Sequence, residues 1–487
     1  MVFHSVLFLF FFAIVTALFF AIPYRFRWAL LLIASYIFYM SSKPIYIVLI
    51  IVLTMTSYYA GLQMGRLETK SKRRKFLIFA VLVNLGLLFV FKYYDFLNHS
   101  LYGVFNWNHL SYEVPSLRLV LPIGVSFYTF KSLSYAIDVY RGDKRPEKHI
   151  GYFALFLAFF PQLLAGPIER AARFLPQLRD KFDFDSERVA HGLKLMLWGF
   201  FQKMVIADNL AVFVDSVYSS PAQYQGFTLL AAAVFYSFQI YCDFSGYSDI
   251  AIGAAQVMGF TTMVNFERPY FSKSLPEFWR RWHISLSSWF RDYLYIPLGG
   301  NRVPVPRWYF NLFFVLLICG LWHGANWTFV VWGGLHGFYL VVSALTHGIR
   351  GKFHKITGLD QAPRLHDSIK TLVTFSLVTL AWIFFRADSN SDALHILSHL
   401  LRGWQDVFQT DFLVKNSVWS TFKFEWITGV ASIGVLILVE AGTRHGNIVE
   451  MISARPIWIR WSAYYFILLS ILLFGSFGTK QFIYFQF

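Results

Sequence analysis

The chain has 487 residues, of which 56% are hydrophobic, 20% are aromatic and only 14% are charged. A water-soluble globular protein needs more polar residues than this to cover its surface, so the composition excludes a soluble enzyme and indicates a membrane protein. The net charge of +16 would suit nucleic acid, but the basic residues lie in short loops beside apolar runs, where anionic lipid attracts them. We therefore expect membrane lipid as a partner, and no nucleic acid.

Long apolar runs recur along the whole chain, and about 20 apolar residues are enough for a helix to cross a bilayer. In chain order the predicted spans are 5–22, 28–42, 44–64, 76–96, 118–140, 190–215, 228–258, 308–322, 326–346, 369–386, 425–443 and 461–478. The stretch 150–168 is predicted to be re-entrant or half-buried, because Pro161, Gly166 and Pro167 interrupt it. The chain shows neither a repeat nor a linker. These patterns predict an all-α polytopic membrane protein, with residues 1–487 forming a single domain.

Lysine and arginine gather in alternate connections between the predicted spans. The basic connections are 66–75, 141–148, 347–368 and 444–460, whereas 97–117 is nearly uncharged. Positively charged loops remain in the cytoplasm, so this alternation predicts that both termini are extracytoplasmic. The first apolar run has no basic residue before it, and Arg25 and Arg27 follow it. We interpret it as a retained span and not as a signal peptide.

Two acidic residues, Asp243 and Asp249, lie in the otherwise apolar run 239–249. Buried carboxylates are costly alone, so we expect them to pair with arginines or to accept backbone N–H groups. The pattern favours a structural role for Asp249. For Asp243 it leaves two interpretations open, a wall of a tunnel or a support between helices. Cys242 and Cys319 are interpreted as small buried side chains.

The spacing of Ser274 and Glu277, with Pro276 between them, predicts that a helix begins here in a capping box. The helix should continue to Pro297 as an amphipathic segment on the membrane surface. Its aromatic face is Phe278, Trp282, Leu286, Trp289 and Tyr293. A lipid anchor and a functional site are both compatible with that face. His283 makes a functional site as well supported as an anchor, because an anchor has no need of a titratable ring.

A second histidine, His323, lies between Trp322 and Gly324, where two apolar helices meet at a break. The apolar run before it has only about 14 residues, so we expect His323 at membrane depth, where ionisable side chains are costly and usually functional. The alternative is a structural histidine bonded to a backbone carbonyl. The neighbouring Trp322, Asn326 and glycines favour a shaped cavity for His323, whereas for His336 the structural interpretation is stronger. Ligand spacing for a metal is missing, so we expect none.

Several segments together resemble the membrane-bound O-acyltransferase family, and within it the members that O-acetylate polysaccharides such as alginate. The segments are 1–3, 35–39, 121–128, 166–170, 243–249, 278–286 and 482–487. The resemblance implies about 11–13 spanning or re-entrant helices around a central tunnel. It places the family's paired histidines on His283 and His323, with His323 looking like the catalytic one. The candidates for binding substrate or lining the tunnel are Trp279, Arg280, Arg281, Trp322, Asn326 and Asp243.

The same resemblance implies an acetyltransferase of the bacterial inner membrane, with both termini extracytoplasmic. The donor would be a cytoplasmic thioester, acetyl-coenzyme A, and no bound cofactor is expected. An extracytoplasmic acetyltransferase subunit would complete the modification of the polymer. Three alternatives remain open: a transporter or flippase, a scaffold of a polysaccharide export complex, and D-alanyl transfer to teichoic acid. A transporter predicts interrupted segments in two repeated halves, and a scaffold predicts that His323 is dispensable.

Overall fold

The computed structural model describes residues 1–164, 166–404, 422–443, 448–477 and 482–483. Every regular element in these ranges is a helix, which confirms the all-α prediction. Within the described chain, nine helical stretches are long and apolar enough to cross a membrane, and each corresponds to a predicted span. The other three predicted spans, 5–22, 28–42 and 118–140, correspond to helices of 16, 17 and 17 residues. The chain is therefore a multi-pass membrane protein.

Two parts of the topology prediction fall on residues that the structure does not describe. Arg444, which was counted as cytoplasmic, lies outside the described residues, and so does the end of the chain after Ile483. The described chain divides into two compact units, one of Met1–Met196 with Ile250–Met263 and the other of Leu197–Asp249 with Val264–Phe487. Whether residues 1–487 act as a single domain stays a prediction.

The first unit is built from the N-terminal helices and from parts of two later helices. Its α-helices are α1 (Val6–Ala21), α2 (Tyr24–Met40), α3 (Ile47–Gly65), α4 (Lys70–Leu88), α5 (Tyr94–Trp107), α6 (Val125–Arg141), α7 (Ile150–Ala158), α8 (Phe160–Leu163), α9 (Ala171–Gln177) and most of α10 (Ser186–Phe200). The span predicted from residue 118 begins only at Val125, because residues 118–122 are not helical and Gly124, with a φ of 75°, precedes the first turn. In the stretch 150–168, α7 and α8 are both short and buried, which confirms that this segment is interrupted.

Polar side chains join the helices inside the first unit. The hydroxyls of Ser57 on α3 and Ser132 on α6 lie 2.6 Å apart, and the amide of Asn84 on α4 donates to Ser57 at 3.2 Å. All three side chains are buried. A hydrogen bond inside an apolar bundle is not exchanged for one to water, so this triad fixes how α3, α4 and α6 pack.

The second unit carries the candidate site. Its α-helices are α11 (Asp208–Ser219), most of α12 (Phe227–Val257), α13 (Leu275–Arg281), α14 (Ile284–Phe290), α15 (Val305–His323), α16 (Trp327–Leu345), α17 (His347–Ile356), α18 (Pro363–Arg386), α19 (Asn390–His399), α20 (Lys423–Gly442), α21 (Ile448–Ser453) and α22 (Ile457–Phe474). Short 3-10 helices occupy Pro44–Tyr46, Pro221–Gln223, Pro269–Phe271 and Leu359–Gln361, and π-helical turns occupy Phe89–Tyr93, Phe201–Ala207 and Arg291–Tyr295. Side chains such as Leu438 and Leu473 point outward from α20 and α22, with exposed fractions of 74% and 71%, as lipid-facing helices require.

Candidate active site

The helix predicted to start after Ser274 does start there, but it is not continuous. The hydroxyl of Ser274 accepts the N–H of Glu277 at 3.3 Å, as a capping residue does, and the carboxylate of Glu277 accepts the N–H of Lys273. The helix then ends at Arg281, and the chain resumes as α14 only at Ile284. At the break, His283 has a φ of 42°, in the left-handed region that residues with a Cβ seldom adopt. The prediction of one amphipathic helix up to Pro297 is therefore wrong.

Asn265 holds this break in place with three hydrogen bonds. Its carbonyl accepts the N–H of Ile284 at 2.9 Å, and its side-chain oxygen accepts the hydroxyl of Ser285 at 2.6 Å. Its amide donates to Ser248 on α12 at 2.9 Å. These bonds to a distant loop satisfy the backbone where α14 begins, which explains why the local helical pattern is overridden. Asn265 was missed in the sequence, where it lies in a polar loop without a motif.

Most of the aromatic face of this segment packs against protein within the second unit. Phe278, Trp282 and Leu286 are fully buried. The Trp282 ring contacts the rings of Tyr241, Phe266 and Trp382 within the second unit. The interpretation as a surface anchor is therefore wrong, because its apolar face is already occupied by protein.

The break turns His283 into the unit's interior. The ring is completely buried, and the edge of Phe244 on α12 meets it at a centroid distance of 4.6 Å. The ring centroids of Trp322 and His323 lie 6.1 Å and 6.4 Å from that of His283. Burial lowers the pKa of the His283 imidazole, so the ring is neutral near pH 7.

His323 is the last residue of α15, and only 2% of it is exposed. The following Gly324 is extended, and α16 begins at Trp327, so the predicted break between two helices is confirmed. The argument from a short run is wrong, however. The helix has 19 residues, because it begins at Val305 and includes polar residues before the apolar run, and its length alone does not place His323 at mid-membrane depth.

Two glycines allow α15 and α16 to pack closely beside His323. A Cβ on Gly320 would overlap the carbonyl oxygen of Phe329, and a Cβ on Gly333 would overlap that of Leu316. Close contact of this kind is typical of membrane helices, where small residues let backbones approach each other. It brings Trp332, on the second helix, to 5.1 Å from the ring of His323.

The ring of Trp332 contacts the rings of both His323 and His336. The ring of His336 lies 4.9 Å from that of Trp332 and 5.2 Å from that of Trp279, measured between ring centroids. His336 is completely buried, yet neither ring nitrogen has a hydrogen-bond partner among the described residues. The carbonyl bond expected of a structural histidine is therefore not found in that part of the chain.

The other candidate residues divide into two groups. Trp279 and Trp322 contact the histidine rings directly, at 5.2 Å for Trp279 with His336 and 5.0 Å for Trp322 with His323. Asn326 caps α16 instead, with its side chain accepting the N–H of Thr328. Arg281 pairs with Glu277 at 2.7 Å, and Arg280 is exposed. The structure thus brings the two tryptophans to the histidines and gives Asn326 and Arg281 other partners.

Asp243 belongs to a buried ion cluster. The ammonium of Lys203 lies 2.6 Å from the Asp243 carboxylate and 2.9 Å from that of Asp208, and all three side chains are at most 5% exposed. Of the two expected kinds of partner, arginine or a backbone N–H group, Asp243 has the second, the N–H of Ile483 at 2.7 Å, and the cation of the cluster is a lysine. Asp249 accepts the amide of Gln202 at 2.7 Å, which agrees with a structural role. Lys203 was missed in the sequence, although one lysine in the apolar run 195–207 was a usable signal.

Two imidazoles enclosed by tryptophan and phenylalanine rings can move a proton in a site that contains little water. No group of three His, Cys, Asp or Glu side chains in the described ranges could hold a metal ion. The arrangement suits acid–base chemistry on a substrate that enters a membrane protein. Acyl transfer to a hydroxyl is a reaction of this class.

Comparison with known proteins agrees with this class. Residues 147–384 match the membrane-bound O-acyltransferase family. The chain is 41% identical over 391 residues to a protein of Pseudomonas aeruginosa named "Probable alginate O-acetylase AlgI", covering 80% of this chain and 72% of the relative. It is 36% identical over 399 residues to the peptidoglycan O-acetyltransferase of Helicobacter pylori, covering 76% and 73%. It is also 30% identical over 281 residues to the teichoic acid D-alanyltransferase of Streptococcus thermophilus, covering 54% and 68%.

The fold and these similarities define a membrane-embedded O-acyltransferase. The chain belongs to the membrane-bound O-acyltransferase family, as its motifs indicated.

Proposed function

We propose that this enzyme takes an acetyl group from cytoplasmic acetyl-coenzyme A and moves it across the bacterial inner membrane for O-acetylation of an exported polysaccharide such as alginate. Support comes from the names of the relatives, which act on alginate and peptidoglycan and carry O-acetylation as their activity. An acetyl group is small and uncharged, so it fits a passage between helices better than a free anionic sugar would.

The observation that carries the proposal is the pairing of His283 and His323. They come from a helix break and a helix end, and their ring centroids lie 6.4 Å apart in a buried, aromatic enclosure. Burial disfavours the charged form of an imidazole, so both rings are suited to accept protons.

His323 acts as the general base in this mechanism. The acceptor hydroxyl oxygen attacks the thioester carbonyl carbon while His323 removes the hydroxyl proton. The C–S bond then breaks, the new C–O ester bond remains, and the proton passes from His323 to the departing thiolate, which leaves as coenzyme A thiol. His283 lies beside His323, where it orients the acceptor or the thioester. Trp322 and Trp279 form apolar walls that exclude water.

A separate extracytoplasmic acetyltransferase subunit takes the acetyl group onward to the polymer. In this arrangement the basic connections 66–75 and 347–368 face the cytoplasm, where the donor is found, and both termini are extracytoplasmic. The tunnel that the family resemblance implies would run past the two histidines.

The decisive test is His323→Gln in the native host. Glutamine keeps a hydrogen-bonding side chain of similar reach but cannot act as a base near neutral pH. Loss of a general base lowers rates by about 10²–10⁴-fold, so the exported polysaccharide should lose nearly all O-acetyl groups while its amount is unchanged. His347→Gln, at an exposed histidine of α17, is the matched control for expression and membrane level. Parental acetylation by a normally expressed His323→Gln variant contradicts the mechanism.

A further inference from the structure

The last described residues of the chain, Phe482 and Ile483, are buried in the second unit. Phe482 is completely buried and Ile483 is 3% exposed. The Phe482 ring stacks on Tyr247 of α12 at 4.4 Å and meets Phe244 at 5.8 Å. The Phe482 side chain is therefore packed against α12.

The backbone of Ile483 completes the ion cluster described above. The ammonium of Lys203 contacts one carboxylate oxygen of Asp243 and one of Asp208. The N–H of Ile483 donates to Asp243 at 2.7 Å, on the carboxylate oxygen that does not face Lys203. A buried carboxylate needs such donors, because water cannot solvate it.

The same part of the unit holds the chain just before this point. The N–H of Ser476 donates to the carbonyl of Met204 at 3.0 Å, within the π-helical turn Phe201–Ala207. The amide of Asn209 donates to the carbonyl of Phe474, the last residue of α22, at 2.8 Å. The C-terminal residues are therefore tied to the segment 203–209 at several points.

A line of ring contacts connects this end of the chain with the candidate site. Phe244 contacts Phe482 at 5.8 Å and also contacts His283 at 4.6 Å. Asp243, which binds Ile483, directly precedes Phe244 on α12. His283 faces His323 on another side. A shift of Phe482 or Ile483 would move Phe244, and the His283 ring would follow.

We propose that Phe482 and Ile483 form a C-terminal anchor that positions His283, with the Ile483 N–H fixing Asp243 and the Phe482 ring supporting Phe244. This inference rests on the proposed function, in which His283 orients a reacting group. Phe482 and Ile483 are positioning residues, since they act on the reaction only through Phe244 and His283.

The test compares Ile483→Pro, which removes the N–H donor, with Ile483→Ala, which keeps it. Both variants lose the isoleucine side chain, and the proline variant also lacks the N–H donor and has a fixed φ. Membrane vesicles containing each full-length variant are supplied with acetyl-coenzyme A, and the release of coenzyme A thiol is measured per molecule of enzyme. Displacing a reacting group by 1 Å costs about 10²-fold, so we expect the proline variant to lose about tenfold or more in kcat with KM for acetyl-coenzyme A unchanged. The alanine variant should stay near the parent.

Cys242 provides a second readout that does not depend on activity. Its thiol is completely buried and lies next to Asp243. In a Cys319→Ser background it is the only thiol of the chain, because the sequence has 2 cysteines. N-ethylmaleimide should label Cys242 in the Ile483→Pro and Phe482→Ala variants and leave it unlabelled in Ile483→Ala.

His283→Ala separates failure of this inference from failure of the proposed function. If His283→Ala turns over at the parental rate, the proposed role of His283 is wrong. If His283→Ala is inactive but Ile483→Pro keeps parental kcat per molecule, only the C-terminal anchor is overturned. A proline variant that loses membrane abundance but keeps kcat per molecule overturns it as well, since the anchor would then serve folding alone.

Discussion

The side-chain oxygen of Asn265 accepts the hydroxyl hydrogen of Ser285 at 2.6 Å, two residues beyond the left-handed His283. This bond joins the loop after α12 to the first turn of α14, and it is buried. The conformation of His283 therefore depends on a residue outside its own helical segment. Left-handed backbone at a histidine is unfavourable by itself and persists only where surrounding contacts determine it.

Asn265→Ala should destabilise the backbone conformation at the break between α13 and α14 and thereby impair the enzyme. The substitution removes the bonds to Ser285 and Ser248, and each buried polar group left without a partner costs about 1–3 kcal/mol. We expect a lower apparent unfolding temperature in detergent and a loss of polysaccharide acetylation larger than the loss of protein from the membrane.

Ser248→Ala is the matched control, because it removes only the bond on the far side of Asn265 and leaves the one to Ser285 at 2.6 Å. Ser248→Ala should lower the apparent unfolding temperature by less than Asn265→Ala does, and it should keep acetylation near the parental level. Equal acetylation per molecule in Asn265→Ala and the parent would show that the break does not depend on this side chain.

The buried His283 should make the protein less stable in mild acid. Burial lowers the pKa of this ring in the folded state, so below the unfolded pKa of about 6.5 the unfolded chain binds a proton that the folded chain does not. This ring's contribution to stability is thus present above pH 6.5 and is lost as the pH falls below it, by at most about 1.4 kcal/mol per pH unit.

His283→Gln removes that titration. Between pH 7.5 and 5.0, the apparent unfolding temperature of the purified variant should fall by less than that of the parent. His347→Gln, at an exposed position, should follow the parent. Identical slopes for His283→Gln and the parent would mean that the ring titrates normally in the folded protein.

The sequence was sufficient to predict the helices and to single out His283 and His323, whose rings lie 6.4 Å apart, but it was insufficient to predict the backbone break at His283. Apolar runs reveal spans because lipid requires them, and titratable rings in such runs are conspicuous. The break at His283 was not predictable from local spacing, since the apolar pattern continues from Phe278 through Leu286 without interruption. Hydrogen bonds from Asn265 override it, and local propensity carries no information about such contacts.

Lys203 and Ile483 illustrate the same limit for the acidic run. Two carboxylates predicted that cations or N–H groups would be nearby, but the acidic run itself did not show that Lys203 and the backbone of Ile483 are those partners. These partners lie 40 or more positions away in the sequence, and folding alone brings them together.

The topology can be tested at Lys72, in the basic connection 66–75. The Lys72→Cys variant, made in a background in which Cys242 and Cys319 are replaced by serine, should react with a membrane-impermeant maleimide only after cells are opened. A cysteine at Ser5, at the start of α1, should react in intact cells. Labelling of position 72 from outside intact cells contradicts the proposed orientation.

The contact between α15 and α16 offers a comparison of two adjacent glycines. A Cβ on Gly333 would overlap the carbonyl oxygen of Leu316, whereas a Cβ on Gly334 would reach only ordinary contacts, 3.7 Å from Leu317 and 3.9 Å from Phe313. Gly333→Ala must therefore push the two helices apart, and with them His323 and Trp332, which lie 5.1 Å from each other. Overpacking of this kind costs about 1–3 kcal/mol.

We expect Gly333→Ala to lower both the apparent unfolding temperature and the O-acetyl content of the polysaccharide. Gly334→Ala should leave both near the parent, because alanine is a better helix former than glycine and the space beside this position is open. The two variants differ by one position on the same helix, so general effects of alanine on α16 cancel in the comparison. If both variants acetylate equally, close approach of α15 and α16 is not what holds His323 in place.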